Sequence, residues 1–297
     1  MWKKTGKKAA VLLAAVIMAG SITGGAMDVE ATAYSSKQTG TWLWDTTQIK
    51  SEPDKILDFA ETQGINAIYL QINRDVAIPY YKDFISKATA EGIEVQILDG
   101  RPAWGLSSGR EGLMSFVEWI EAYQSGAEEN ERFSGIHVDI EPHVLAEWKS
   151  DRDSVVAQWQ SNVSYLTNEA KRMELKITAD IPFWLDNYTV PGGDMKISSW
   201  MIRQFDAVAV MAYRDTANAI YNAAASELKE ASELGKKVSI AVETNRSNEG
   251  NFITFYEEDC DYMRAELQEL EQMANKHDSY IGISVHDYGN WSKLASR

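Results

Sequence analysis

The chain has 297 residues, 44% of them hydrophobic and 25% charged, which is ordinary for a globular protein and long enough to bury a large core. Its 44 acidic and 29 basic residues give a net charge of −15, which argues against nucleic acid or an anionic surface as partner. The single cysteine, Cys260, excludes an intrachain disulfide and any cysteine-based metal site.

At the start, Lys3, Lys4, Lys7 and Lys8 precede an apolar run over residues 9–20, and small residues follow to Ala31-Thr32-Ala33. This is the pattern of a secretory signal peptide, and the run is too short for a comfortable membrane span. Cleavage is predicted after Ala33, so that residues 1–33 are a removed leader and residues 34–297 a secreted chain with no stable membrane insertion. Removing the leader takes away four Lys and two acids, leaving 25 basic and 42 acidic residues and a net charge of −17.

After a short polar segment, 34–40, strands and helices alternate. Strands are predicted at 41–45, 66–73, 94–99, 134–141, 175–181, 207–213, 238–243 and 280–286. Helices are predicted at 51–64, 80–92, 111–123, 153–173, 195–205, 217–234 and 256–274, with a short one at 291–297. Ser51, Pro53 and Gly64 punctuate the first helix, and apolar Leu113, Phe116, Val117 and Ile120 recur at helical spacing in the third. Eight βα units in about 260 residues predict an α/β fold, a single (β/α)8 barrel of the TIM type. An open doubly wound sheet fits less well, because no Gly-rich phosphate loop follows the first strand.

In such barrels chemistry sits at the C-terminal ends of the strands, and those ends are loaded here. In order they carry Trp44, Asn73, Asp99, then Asp139 and Glu141, then Asp180, then Tyr213, Arg214 and Asp215, then Glu243, then His286. Within Ser134–Pro142 (SGIHVDIEP), His137, Asp139 and Glu141 alternate with Ile136, Val138 and Ile140, so the ionisable set shares one face. Crowded carboxyls raise one another's pKa and can keep one protonated as a general acid near neutral pH. Trp42, Trp44, Trp104, Trp184 and Trp291 fall at or just beyond strand ends, and indole faces stack on sugar rings. Acids with aromatics point to carbohydrate. The histidines lack metal-ligand spacing, so no metal and no cofactor is expected. A monomer is expected.

SGIHVDIEP resembles the D-G-x-D-x-D-x-E signature of family 18, the chitinase-like glycoside hydrolases. MAYRD, 211–215, is similar to their M-x-Y-D, and Trp291 follows the last strand where that family has a pocket-floor Trp. The resemblance implies Glu141 as the acid that protonates the glycosidic oxygen. It implies Asp139 as the group that orients a substrate acetamide, whose carbonyl oxygen is the internal nucleophile, and Tyr213 as a residue that holds the intermediate. Trp44, Asn73, Asp99, Trp104, His137, Asp180, Trp184, Arg214, Asp215, Glu243, His286 and Trp291 are the candidate substrate-binding residues. The chain departs from the pattern at Ser134, His137 and Arg214, where the family has acids. The expected function is a secreted hydrolase acting on a polysaccharide or cell-wall glycan. One alternative resembles the retaining clan A barrels, with Glu141 as acid/base and Glu243 as nucleophile. The other is a glycan-binding barrel that has lost catalysis.

Overall fold

The computed structural model describes residues 37–297. The predicted leader, residues 1–33, lies outside the described residues. Eight parallel strands close into a barrel in sequence order. They are β1 (Gln38–Leu43), β2 (Ala67–Gln71), β3 (Glu94–Asp99), β4 (Gly135–Val138), β5 (Lys176–Pro182), β6 (Ala207–Met211), β7 (Lys237–Glu243) and β8 (Tyr280–His286). Around them run α1 (Gln48–Ser51), α2 (Pro53–Gln63), α3 (Ile78–Ala90), α4 (Arg110–Ser125), α5 (Ala146–Ser150) and α6 (Arg152–Arg172). Then come α7 (Ile197–Gln204), α8 (Ala217–Leu234), α9 (Cys260–Ala274) and α10 (Tyr288–Leu294). The predicted class, a (β/α)8 barrel, is the observed one.

Local chemistry sets most boundaries. Pro53 opens α2, and Gly64 and Gly235 close α2 and α8 in the left-handed conformation at φ of 68° and 65°. Among the boundaries that differ from the sequence reading, three have a local cause. β1 starts at Gln38 because β8 pairs with residues taken as a polar lead-in, Gln38 with Gly282 and Thr39 with Ile283. α9 starts at Cys260 rather than 256, because the Asp259 carboxylate accepts the Tyr262 backbone N–H at 2.8 Å and caps the helix there. α10 starts at Tyr288 rather than 291, capped in the same way by Asp287, which accepts from Asn290 N at 3.0 Å.

Strand parity divides the core into two shells. Ile136, Val138 and Ile140 pack outward among the helices, with Val208 and Val210 of β6 and Val238, Ile240 and Val242 of β7. Trp42, Ala67, Tyr69, Leu98, Ala209 and Ala241 form a separate inner cluster. Small residues on β6 and β7 leave room for the two large rings from β1 and β2. The Tyr69 hydroxyl meets Ser284 Oγ at 2.8 Å and accepts from Gln38 Nε2 at 2.6 Å, so the bottom of the barrel is hydrogen-bonded as well as filled.

One buried group has no place in this scheme. Glu227 of α8 is 1% exposed, and neither carboxylate oxygen has a hydrogen-bond partner. Burial, reinforced by Asp186 and Glu230, pushes it up to about 8. The folded chain therefore holds a proton there that the unfolded chain loses above its ordinary value of 4.5, and stability declines as pH rises through the window from 4.5 to about 8. Glu227→Met is expected to raise stability at pH 9 by roughly 2–4 kcal/mol and by much less at pH 4, read by denaturant melts at both values.

Candidate active site

The site is built on Asp180 at the top of β5. Its two oxygens are held by two ring N–H donors. Trp42 Nε1 donates to Oδ2 at 3.1 Å, and His137 Nε2 lies 2.8 Å from Oδ1. A carboxylate accepts, so the His137 proton sits on Nε2, and Nδ1 is left buried as a lone pair without a partner. His137 is completely buried and stacks on Tyr69, with ring centroids 3.9 Å apart. Trp42 meets Tyr69, His137 and His286 edge-on. These rings form an aromatic floor with an anion fixed in it.

Above the floor are Asp139 and Glu141, beyond the end of β4. The chain can place them there because Gly100 follows β3 without a side chain. A Cβ on Gly100 would lie 1.8 Å from the Asp139 carbonyl oxygen, far inside contact distance. Asp139 N instead donates to Asp99 O at 3.3 Å, extending the β3–β4 ladder one step past the strand. Asp139 Oδ1 is buried with no partner. Burial raises its pKa well above the ordinary value, and the charges of Asp180 and Glu141 add to that. Burial likewise pushes Glu141 up to about 7, Asp180 raising it further and His286 pulling it down. The Tyr213 phenol is raised by burial first, then by Glu243, Asp180, Asp139 and Glu141. Its hydroxyl has no hydrogen-bond partner among the described residues, so a donor is free in the middle of four carboxyls.

Glu243 is differently placed. Its Oε1 accepts from Thr244 N at 2.8 Å, Asn245 N at 2.6 Å and Asn245 Nδ2 at 3.0 Å. His286 Nδ1 lies 3.1 Å from Oε2, while His286 Nε2 accepts the Trp44 indole N–H at 2.9 Å. An indole N–H only donates, so the His286 proton is on Nδ1 and points at Glu243. Burial lowers the His286 pKa, but Glu243, Asp287 and Asp180 outweigh it and leave it raised. Glu243 thus serves to orient His286.

The structure brings together Trp44, His137, Asp139, Glu141, Asp180, Tyr213, Glu243 and His286. Asn73 and Asp99 line a neighbouring pocket with Trp44. Arg214 leaves the centre for the rim, where its guanidinium lies over Phe183 at 4.9 Å and Phe252 at 5.7 Å. Asp215 lies beside it, close enough to Glu258 to raise that carboxyl after burial does. Trp184 meets His143 edge-on at 4.8 Å, and His143 Nε2 is 3.6 Å from Glu141 Oε1. His143 is not among the residues singled out in the sequence, although it is only two residues from Glu141.

Two tryptophans are not in the site. Trp104, 3% exposed, turns back under α4 against Phe116 and Gly112. Trp291, 4% exposed, packs between barrel and helices against Phe59 of α2. Both belong to the outer core, because the chain has already left extended geometry when it reaches them and strand parity no longer directs the side chain. The indole on the floor comes from β1 as Trp42, one pleat below Trp44.

No protein-family model and no curated protein sequence matches the chain. Solved structures do match. The C-terminal domain of a protein described as a chitinase, from Desulfitobacterium hafniense DCB-2, is 12% identical with a TM-score of 0.58, over 86% of this chain and 95% of that one. A glycoside hydrolase domain, PgaB (BpsB) of Bordetella bronchiseptica, is 12% identical with a TM-score of 0.54, over 88% and 97%. A GH18 chitinase from Cycas revoluta in complex with (GlcNAc)3 is 13% identical with a TM-score of 0.51, over 85% and 95%. The chain shares its (β/α)8 barrel fold with these proteins. At these identities the likeness is one of fold. It agrees with the resemblance read from SGIHVDIEP and MAYRD, and it leaves function to be argued from the site.

Proposed function

We propose that the chain is a glycoside hydrolase-like protein that cleaves a polysaccharide or cell-wall glycan, with Glu141 as general acid. The observation that carries this reading is the contrast among neighbouring carboxyls. Asp180 is fixed by two N–H donors, whereas Glu141 has His143 Nε2 at 3.6 Å and is pushed to about 7 by burial and Asp180. A carboxyl at that value still holds a proton near neutral pH and can release it to a leaving oxygen.

Burial and the charges of Asp180 and Glu141 raise Asp139 well above the ordinary carboxyl value, and its buried Oδ1 has no partner. That suits it to orient a polar substituent on the sugar, such as an acetamide. The free Tyr213 hydroxyl supplies a further donor for charge that develops on that substituent. Glu243 does not fit the nucleophile of a two-glutamate mechanism, because three donors saturate Oε1 and His286 holds Oε2. The substrate's own acetamido oxygen is the more fitting nucleophile, and hydrolysis then retains the anomeric configuration.

The test is hydrolysis of N-acetylated and neutral glycans, with product anomers followed by NMR. Release of the retained anomer from N-acetylated glycans alone supports the full reading, and kcat/KM is expected to fall as pH rises through about 7. An inverted product overturns the substrate-assisted step. No release from any glycan overturns the enzymatic reading.

A further inference from the structure

His286, the last residue of β8, sits between a group that can only donate and a group that accepts. The Trp44 indole N–H donates to its Nε2 at 2.9 Å, and its Nδ1 lies 3.1 Å from Glu243 Oε2. A neutral imidazole, with one N–H and one lone pair, matches both neighbours when its proton is on Nδ1. The Glu243 side is rigid. Asn245 Nδ2, 3.3 Å from Nδ1, donates to Glu243 Oε1 at 3.0 Å and to Asp287 Oδ2 at 3.1 Å, and Asn245 Oδ1 accepts from Asn290 Nδ2 at 2.6 Å.

The charges around His286 favour its other protonation state. Burial alone would lower its pKa, but Glu243 on β7, Asp287 just after β8 and Asp180 on β5 outweigh burial and leave it raised above 6.5. Glu141, beyond β4, also faces it and is pulled down by it. From β1 and from beyond β6 come uncharged rings, those of Trp42, Trp44 and Tyr213. A second proton on His286 has one place to go, which is Nε2, and there it points at the indole N–H. Two N–H groups cannot face each other across 2.9 Å, so the imidazolium and the Trp44 hydrogen bond exclude one another.

Trp44 follows the last residue of β1, is half-buried, and packs against the inner aromatic cluster. Its indole has a single N–H, so the bond to His286 is the one polar contact that sets the ring's orientation. We propose that His286 is a positioning residue, which holds the Trp44 indole in the site while it is neutral and releases it on taking up a second proton. Glu243 and Asn245 are the fixed side of this device and Trp44 is the moving side. Its effect on rate rests on the glycan-hydrolase reading above, whereas release of the indole does not. As pH falls Glu141 gains its proton rather than losing it, so an acidic limb belongs to His286. Trp44 exchanges no proton with the glycan, and its release therefore raises KM and leaves kcat nearly unchanged.

The experiment is an NMR pH titration of the full chain, from about pH 9 to about pH 5, following the tryptophan indole N–H groups and the four histidine rings. Trp44→Phe and His286→Gln identify the two resonances by their loss. The Trp44 indole proton is expected far downfield at high pH and to lose that shift at the midpoint of the His286 titration, above 6.5. Trp44→Phe removes the opposing N–H and is expected to move the His286 midpoint up. In His286→Gln the amide oxygen can accept from the indole and takes up no proton, so the Trp44 resonance is expected to stay in place across the range. An indole resonance that stays put while His286 titrates overturns the proposal. So does a His286 that does not titrate, or a midpoint unchanged in Trp44→Phe. These readouts hold for the unsubstituted chain and Trp44→Phe even if His286→Gln does not fold. Hydrolysis of N-acetylated glycans is measured alongside, with KM expected to rise several-fold below the midpoint. An acidic limb in kcat instead overturns the positioning role. No hydrolysis, with release of the indole intact, overturns the glycosidase reading and leaves the proposal standing.

Discussion

Glu141→Gln is expected to lower glycan hydrolysis by about 10²–10⁴-fold and, at the same time, to make the folded chain more stable at neutral pH. The first effect follows from removing the only proton that Glu141 can give while keeping its shape. The second follows from the same raised pKa. In the folded chain Glu141 titrates at about 7, against 4.5 in the unfolded chain. Between those values the folded state holds a proton that the unfolded state has released, so stability falls as pH rises through the window. At pH 7 the penalty is up to about 3 kcal/mol, and Gln, which carries no charge to bury, removes it. Thermal melts at pH 4 and pH 8 read this directly. A gain at pH 8 that vanishes at pH 4 is the expected pattern, together with the lost rate. A variant that hydrolyses glycan at the original rate would end the assignment of Glu141 as the acid.

Asp180→Asn is expected to shift the basic limb of the pH–rate profile to lower pH and to destabilise the barrel. Asp180 is the largest charge acting on both Glu141 and Asp139, so its loss lowers both. Burial is the larger cause for Glu141, so the limb should move only part of the way from about 7 toward 4.5. The destabilisation comes from below. Trp42 and His137 each donate to a separate Asp180 oxygen, and an amide offers only one. One buried N–H then faces an NH₂ group, at a cost of about 1–3 kcal/mol. A basic limb that stays near 7 in this variant would show that Asp180 does not set the acid's proton affinity.

These two residues also show how far the sequence could be read. Asp139, Glu141 and His137 were placed on one face by period-two alternation; β4 ends at Val138, and the Asp139 N–H bond to Asp99 O carries the alternation one step beyond it. The eightfold βα alternation survives because each element's signal is local. What depended on register did not come through. Asp180 was recognisable as a polar strand end, but its partners Trp42 and His137 lie 138 and 43 residues away, and only the barrel's stagger brings them together. Trp104 and Trp291 were misplaced because they follow their strands by a turn or more, where a large ring can swing into the cleft or back into the outer core. Asp259 and Asp287 cap α9 and α10, whereas the sequence reading ran one helix through Asp259 and began the other after Asp287.

The pairing of β1 with β8 has a consequence for how the protein comes into being. Thr41 Oγ1 donates to Val285 O across 244 residues of chain, and Gln38 pairs with Gly282. No shorter-range contact can substitute for that seam, and closing so long a loop is slow and entropically costly. Until the last strand is available, β1 and β7 both present open edges, and Trp42 and Trp44 have no His286 to meet. The cleft is therefore complete only when β8 has closed the barrel. A chain that stopped short of residue 280 would lose its site before it lost most of its helices, and would expose two sheet edges of the kind that recruit other chains.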